Sequence, residues 1–264
     1  MTASQATAPH SEAVEQRRWI DVADRRVPAV VWTPTQHAGR RPLVLMGHGG
    51  SGHKTSQLVL DAALPLVRLH GFVVAAIDGP VHGERRASPA DGEQVRSEFR
   101  ALWAEGGSVE PMVADWRATL DELCRMPEVD PAAIGWYGIS MGTAYGLPFV
   151  AAEPRIRAAV LGMWGTSRIN SRRLVDDARR VSIPVLFQQK QDDEFFTPEG
   201  QVEIYEALAS PEKQLAVYQG GHVDPSGLQL FDLIEFLATR LQHPHGRQQP
   251  FPVVYGNSPQ GSPR

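Results

Sequence analysis

Residues 134–146, IGWYGISMGTAYG, constrain this chain more than any other stretch. The apolar run 134–137 reads as a buried strand. Gly138-Ile139-Ser140-Met141-Gly142 then turns sharply, and Thr143-Ala144-Tyr145 can continue as helix. A strand, a tight turn with Ser at its tip and a helix form the elbow that lifts a serine hydroxyl clear of a sheet. The glycines two residues either side of Ser140 remove the Cβ atoms that would crowd strand against helix. The hydroxyl then stands above a helix N-terminus, where negative charge is stabilised. A G-x-S-x-G match alone also occurs in ordinary loops, so the surrounding pattern must carry the reading.

That pattern is an alternation of short apolar runs with amphipathic stretches. Residues 19–22 and 28–32 read as two strands joined by a hairpin turn at Ala23-Asp24-Arg25. Residues 43–46, 72–77, 134–137, 158–163, 185–189 and 215–218 read as further strands. Helical periodicity marks 53–70, 109–126, 141–151, 198–209 and 227–241, with Pro198 at a favoured first-turn position. Asp130-Pro131 reads as a break before the elbow strand. Residues 85–107 are charged, carry Phe99, Leu102 and Trp103 at helical spacing, and suggest a small flap or extra helix over a site. β-branched runs alternating with helices imply an α/β fold with a mostly parallel sheet covered on both faces and an antiparallel start. The segment between the strands at 158–163 and 185–189 is too short for a large cap, so the cap is small or absent. The expected organisation is a disordered tail over 1–16, one domain over 17–242 and a disordered Pro/Gln/Gly/Ser-rich tail over 243–264.

With 264 residues, one sizeable core can be buried. A formal net charge of −4 argues against nucleic-acid and anionic-membrane partners. The single cysteine, Cys124, excludes an intrachain disulfide and a cysteine zinc cluster, and reads as a small core residue. The first 18 residues carry no apolar signal core, and no apolar run approaches the ~18 residues that span a bilayer. The expectation is a cytoplasmic protein, monomer or homodimer, acting on a small molecule.

A serine hydroxyl needs a base within hydrogen-bond reach, and that base needs an orienting acid. Behind an elbow the acid comes first in the chain and the histidine second, each in a loop after a strand. Only His222, His243 and His245 follow Ser140, and the last two sit in the polar tail. His222, in Gln219-Gly220-Gly221-His222, directly follows the last strand and is the candidate base. The acid belongs to the loop after 185–189, where Asp192, Asp193 and Glu194 are consecutive; Glu194 is expected to face solvent or cap the next helix. The oxyanion donors expected are the backbone N–H of Met141 and one from the glycine-rich loop, Gly50 or alternatively Gly49. That loop packs four glycines into residues 47–52 but lacks the Gly-Lys-Ser/Thr ending of a phosphate cradle. His48 reads as structural, His82 as a loop brace, and His48, His53 and His82 match no zinc spacing.

Gly47-His48-Gly49-Gly50, Asp78-Gly79-Pro80-Val81-His82-Gly83, Gly138-Ile139-Ser140-Met141-Gly142, Asp193 and Gly221-His222 together resemble the α/β-hydrolase superfamily over about residues 17–242. Within it, the short cap and the Asp-x-Pro-x-His-Gly loop look most like the dienelactone hydrolase and prolyl-oligopeptidase-like esterases. The resemblance implies an eight-stranded sheet with strand two antiparallel, and no cofactor or metal. It implies a serine esterase with Ser140, His222 and Asp193 as triad, Met141 and Gly50 as oxyanion hole, and an acyl-enzyme intermediate. Asp193 is selected by the family's spacing, with Asp192 as the alternative. The chain departs from the family in three places: Gln189-Lys190 replaces a common His-Gly, Thr143 replaces a second glycine after the elbow, and Ser140 stands where dienelactone hydrolases proper have Cys. A thioesterase, acyl transferase or eliminating lyase could use the same site.

Overall fold

The structure, a computed structural model, describes residues 12–36 and 39–242. Its strands are β1 (Ala13–Val22), β2 (Arg25–Pro34), β3 (Arg41–Gly47), β4 (Val73–Ile77), β5 (Val129–Gly138), β6 (Ile156–Gly162), β7 (Val185–Lys190) and β8 (Lys213–Tyr218). Its helices are α1 (Gln57–His70), α2 (Gly92–Glu105), α3 (Val109–Leu123), α4 (Met141–Ala152), α5 (Arg173–Ala178), α6 (Pro198–Ala207) and α7 (Leu228–Gln242). The strands form one sheet in the order β1-β2-β4-β3-β5-β6-β7-β8. β2 runs antiparallel to both β1 and β4, and β4 through β8 pair in parallel.

Burial explains why the central strands are apolar throughout. All five residues of β4 are buried, because helices cover both faces of the sheet. α1 and α7 pack on one face through Leu66, Val67, Leu233 and Phe236. The elements α2 to α6 cover the other, where Trp116, Trp136 and Phe149 stack together. The Trp116 and Trp136 rings meet edge to face at 4.8 Å, a contact worth ~0.5–1.5 kcal/mol beyond its buried area.

Two local expectations change, and a third, the flap or extra helix over 85–107, narrows to the helix. β1 begins at Ala13 rather than Trp19, so residues 13–16 belong to the sheet and not to the tail. Ala13 pairs with Pro34 and the ladder runs unbroken to Val22. Its early side chains, Glu15 to Arg18, are polar because β1 is an edge strand, so hydropathy hid it. Asp130-Pro131 lies inside β5 instead of breaking the chain before it; the pairing with β3 shifts register there, and Pro131 falls in the shift. The segment at 85–107 is resolved into an ordered helix. Asp91 caps α2 by accepting from the amides of Glu93 (3.0 Å) and Gln94 (2.8 Å). Val95, Phe99 and Trp103, spaced four apart, form its buried face.

Between β6 and β7 the only helix is α5, six residues long, so among the described residues that connection carries no large cap. The remainder of the expected N-terminal tail, residues 1–11, and the segment 243–264 lie outside the described residues. Among those described, no helix is long and apolar enough to cross a membrane.

Candidate active site

The parallel strands bring the loops after β3, β4, β5, β7 and β8 to one edge of the sheet. Ser140 occupies the turn between β5 and α4 with φ 55° and ψ −123°, a conformation that costs a non-glycine residue ~1–3 kcal/mol. Its neighbours hold it there. A Cβ on Gly138 would meet the carbonyl oxygen of Gly142 at 2.7 Å, and one on Gly142 would meet that of Gly47 at 2.8 Å. Strand β5, helix α4 and the end of β3 therefore touch through bare backbone.

Thr143, which stands in place of a second glycine after the elbow, ties the turn to β6. Its hydroxyl accepts from the Gly162 amide at 2.7 Å, and the carbonyls of Gly138 (2.9 Å) and Gly162 (2.7 Å) lie within reach of its single proton. The Ser140 amide donates to that same Gly162 carbonyl at 2.9 Å. A glycine in place of Thr143 would lose this tie between the elbow and β6.

The structure brings Ser140, His222 and Asp193 together. Ser140 Oγ lies 2.8 Å from His222 Nε2, and His222 Nδ1 lies 2.9 Å from Asp193 Oδ2. Asp193 is fixed in turn: its Oδ1 accepts from the amides of Phe195 (2.9 Å) and Phe196 (3.0 Å). Asp192 points elsewhere, with an exposed side chain and its amide donating to the Gly220 carbonyl at 3.1 Å. Glu194 is exposed, as expected, and does not cap α6. Its Oε2 accepts from the backbone amide of His222 at 2.8 Å, which holds its carboxyl below the usual range. The cap of α6 is Thr197, accepting from Gly200 at 3.2 Å.

Gly50 and Met141 face each other beside Ser140, a Cβ on Gly50 falling 3.9 Å from that of Met141. Among the described residues, neither spends its amide N–H on a protein acceptor. Two histidines secure the Gly50 loop from beneath. The Gly79 amide donates to His48 Nε2 at 2.8 Å, so His48 carries its proton on Nδ1 and donates it to the Gly49 carbonyl at 2.8 Å. Because the peptide is planar and trans, pinning the Gly49 C=O also aims the Gly50 N–H. Burial pushes His48 down to about 3, with the neighbouring His82 adding to the effect. His82 Nε2 lies 3.1 Å from the Gly50 carbonyl, and its Nδ1 bonds the Pro80 carbonyl. Burial lowers its pKa as well, against the opposing pull of those two carbonyls.

Lys54 and Asp78 anchor this layer. Asp78 is fully buried, a position that by itself raises a carboxyl pKa. Lys54 reverses that by donating to it from its amide (2.8 Å) and from Nζ (2.7 Å), and the Glu84 amide adds a third bond at 2.9 Å. Lys54 thus ties the glycine-rich loop to the Asp78–Gly83 loop, a role the sequence concealed. His53 is elsewhere, with Nδ1 against Thr55, and no three His, Cys, Asp or Glu residues among those described are grouped to hold a metal ion.

A cavity of about 250 Å³ opens onto Ser140 and His222. Phe99, Trp103, Trp164, Phe195 and Phe196 give it largely aromatic walls. Trp103 and Trp164 meet edge to face at 5.2 Å, and Trp164 lies 4.5 Å from Phe196. The α2 wall is fastened: Trp103 Nε1 donates to the Ile169 carbonyl at 2.8 Å, and Asn170 donates back to the Trp103 carbonyl at 2.9 Å.

An eight-stranded, mostly parallel sheet with a strained serine between strand and helix, and an imidazole after the last strand, defines the α/β-hydrolase fold. The sequence places the chain within it more narrowly. It belongs to the dienelactone hydrolase family, whose model matches residues 27–222. That makes it an α/β-hydrolase of the carboxylic ester hydrolase class, a lactone being a cyclic ester. A novel cold-adapted esterase from an Arctic intertidal metagenomic library, in its PEG-bound complex, is 33% identical with a TM-score of 0.78, covering 91% of this chain and 100% of its own. Acetyl xylan esterase 1 from Thermoanaerobacterium sp. JW/SL YS485 is 20% identical with a TM-score of 0.62, over 90% of this chain and 86% of that one. A putative dienelactone hydrolase from Klebsiella pneumoniae is 16% identical with a TM-score of 0.67, over 86% and 98%. At these identities the last two show the shared fold alone. No curated protein matches the chain significantly.

Proposed function

We propose that the protein hydrolyses a carboxylic ester through an acyl-enzyme formed on Ser140. Ser140 Oγ attacks the carbonyl carbon while His222 Nε2 takes its proton. Asp193 holds the imidazole in the tautomer that presents Nε2 and offsets the charge that forms. The amides of Gly50 and Met141 receive the oxyanion, each worth ~10²–10³ in rate. His222 returns its proton to the leaving alcohol, then activates water against the acyl-enzyme. Product acid leaves and Ser140 is restored.

The observation that carries this reading is the hydrogen-bonded series Ser140–His222–Asp193, at 2.8 and 2.9 Å, opening onto an aromatic cavity. The esterase in the 33% identical structure supports an ester as the substrate class. The cavity's modest volume favours short or aromatic acyl groups over long chains. A panel of p-nitrophenyl esters of graded acyl length tests it. Wild type should turn over the short esters and Ser140→Ala should lose at least about 10³-fold in kcat. Equal turnover by the two would remove the assignment.

A further inference from the structure

Three arginines line the cavity that holds Ser140 and His222: Arg96 and Arg100 on α2, and Arg168 in the segment between β6 and α5. Arg96 and Arg100 are one helical turn apart and leave the same face of α2. Their guanidinium carbons lie 6.0 and 5.0 Å from the ring centre of Phe195. That of Arg168 lies 5.4 Å from the ring centre of Phe196. Two adjacent rings of the acid loop therefore gather three cations along one wall.

What the wall lacks is a countercharge. Arg85, Arg86, Arg155 and Arg173 each take an Asp or Glu, whereas among the described residues no ion pair involves Arg96, Arg100 or Arg168. Glu98, between the two on α2, is already held by Arg86. Arg96 Nε is buried with no acceptor. Burial, and then repulsion from Arg168 and Arg96, holds the Arg100 guanidinium below its ordinary value. Unneutralised like charges side by side weaken the fold. Their position in the reaction cavity points to a ligand as the missing partner.

We propose that these three guanidinium groups form a subsite for an anionic group that the substrate carries away from its reacting carbonyl, a group with two negative charges such as a phosphate monoester or a pair of carboxylates. The proposal rests on the ester hydrolase reading above. The charge count favours a dianion. A lone carboxylate is satisfied by one guanidinium fork and would leave two cations exposed. Among the described residues the one acid in the cavity lining is Asp224, so that lining carries three cations against one anion.

The test compares esters with one reacting bond and three distal groups: a neutral ether, a carboxylate and a phosphate. The group is placed on the alcohol side in one series and on the acyl side in the other. In at least one series, kcat/KM for the phosphate ester should exceed that of the neutral ester by on the order of tenfold or more, mainly through KM. The advantage should shrink as salt rises from roughly 20 to roughly 500 mM. The ratio of charged to neutral turnover should fall toward one in the Arg96→Gln/Arg100→Gln/Arg168→Gln variant and be partly kept in Arg100→Lys. If neutral esters are hydrolysed in a Ser140-dependent manner and neither anion helps in either series, the subsite is refuted and the hydrolase reading stands. An equal gain for carboxylate and phosphate overturns the dianion. If no ester is turned over, titration calorimetry with the amide analogue of the phosphate substrate decides: tighter binding by wild type than by the triple variant supports the subsite, and equal or absent binding overturns it.

Discussion

The backbone amide of His222 donates to Glu194 Oε2 at 2.8 Å, while the adjacent Asp193 takes the imidazole of the same residue at 2.9 Å. Two consecutive carboxylates thus grip one histidine, the first by its ring and the second by its main chain. The β8–α7 loop owes the ring's placement to both, because Gly220 and Gly221 before it supply no side chains of their own.

Glu194→Ala should therefore lower kcat by roughly three- to tenfold with little change in KM, the size expected for one lost charge-assisted hydrogen bond. Glu194→Gln keeps an acceptor and should recover most of the rate. Steady-state kinetics on one short ester decide; a loss in Gln as deep as in Ala would contradict a hydrogen-bonding role.

The two aspartates separate sharply. Asp193→Asn should cost about 10²–10⁴ in kcat, since amide for carboxylate disturbs the tautomer of His222. Asp192→Asn should stay within about twofold, because its side chain is exposed and outside the series. The opposite ranking would move the acid to Asp192.

His82 acts on the oxyanion loop through the Gly50 carbonyl. Both its ring nitrogens face carbonyl oxygens, and a neutral imidazole can donate to only one. His82→Ala should lower kcat by about tenfold, by loosening the Gly50 donor, and leave KM nearly steady. His82→Gln should restore part of the rate. A change confined to KM would argue against positioning.

His48 makes stability fall on the acid side. Its folded pKa of about 3 lies below the unfolded value near 6.5, so between them the unfolded chain binds the proton that the fold excludes. Its contribution is complete above about pH 6.5 and declines as pH drops toward 3, with a limiting slope of about 1.4 kcal/mol per pH unit. His82, lowered in the same direction, adds to the trend. Thermal melts from pH 7 to pH 4.5 should show a steeper loss in wild type than in His48→Asn; parallel curves would contradict a neutral buried His48.

Much of this arrangement can be read from the residues alone, for reasons of chain order and backbone sterics. The elbow is a local device, five residues with two obligatory glycines, so Ser140 is marked by its neighbours. His222 follows by position after the last strand. The choice of Asp193 needs more, since three consecutive acids share one composition and only the turn of the loop decides which one points inward. The Glu194 bond, the Thr143 tie and the Lys54–Asp78 pair join residues 28, 19 and 24 positions apart, and no local periodicity marks such contacts. The first half of β1, before Trp19, is hidden for another reason: an edge strand exposes polar side chains, and its partner β2 fixes its length. α2 carries a visible helical spacing, yet only packing against Trp164 and Ile169 shows that it walls the cavity.

The most direct measurement of the central claim is the intact mass of the protein during turnover of a p-nitrophenyl ester, quenched in acid. An acyl-enzyme on Ser140 predicts a single added acyl group, mapped by peptide digestion to the elbow, present in wild type and absent in Ser140→Ala. Rapid hydrolysis with no adduct at any quench time, or an adduct that persists on Ser140→Ala, would contradict it.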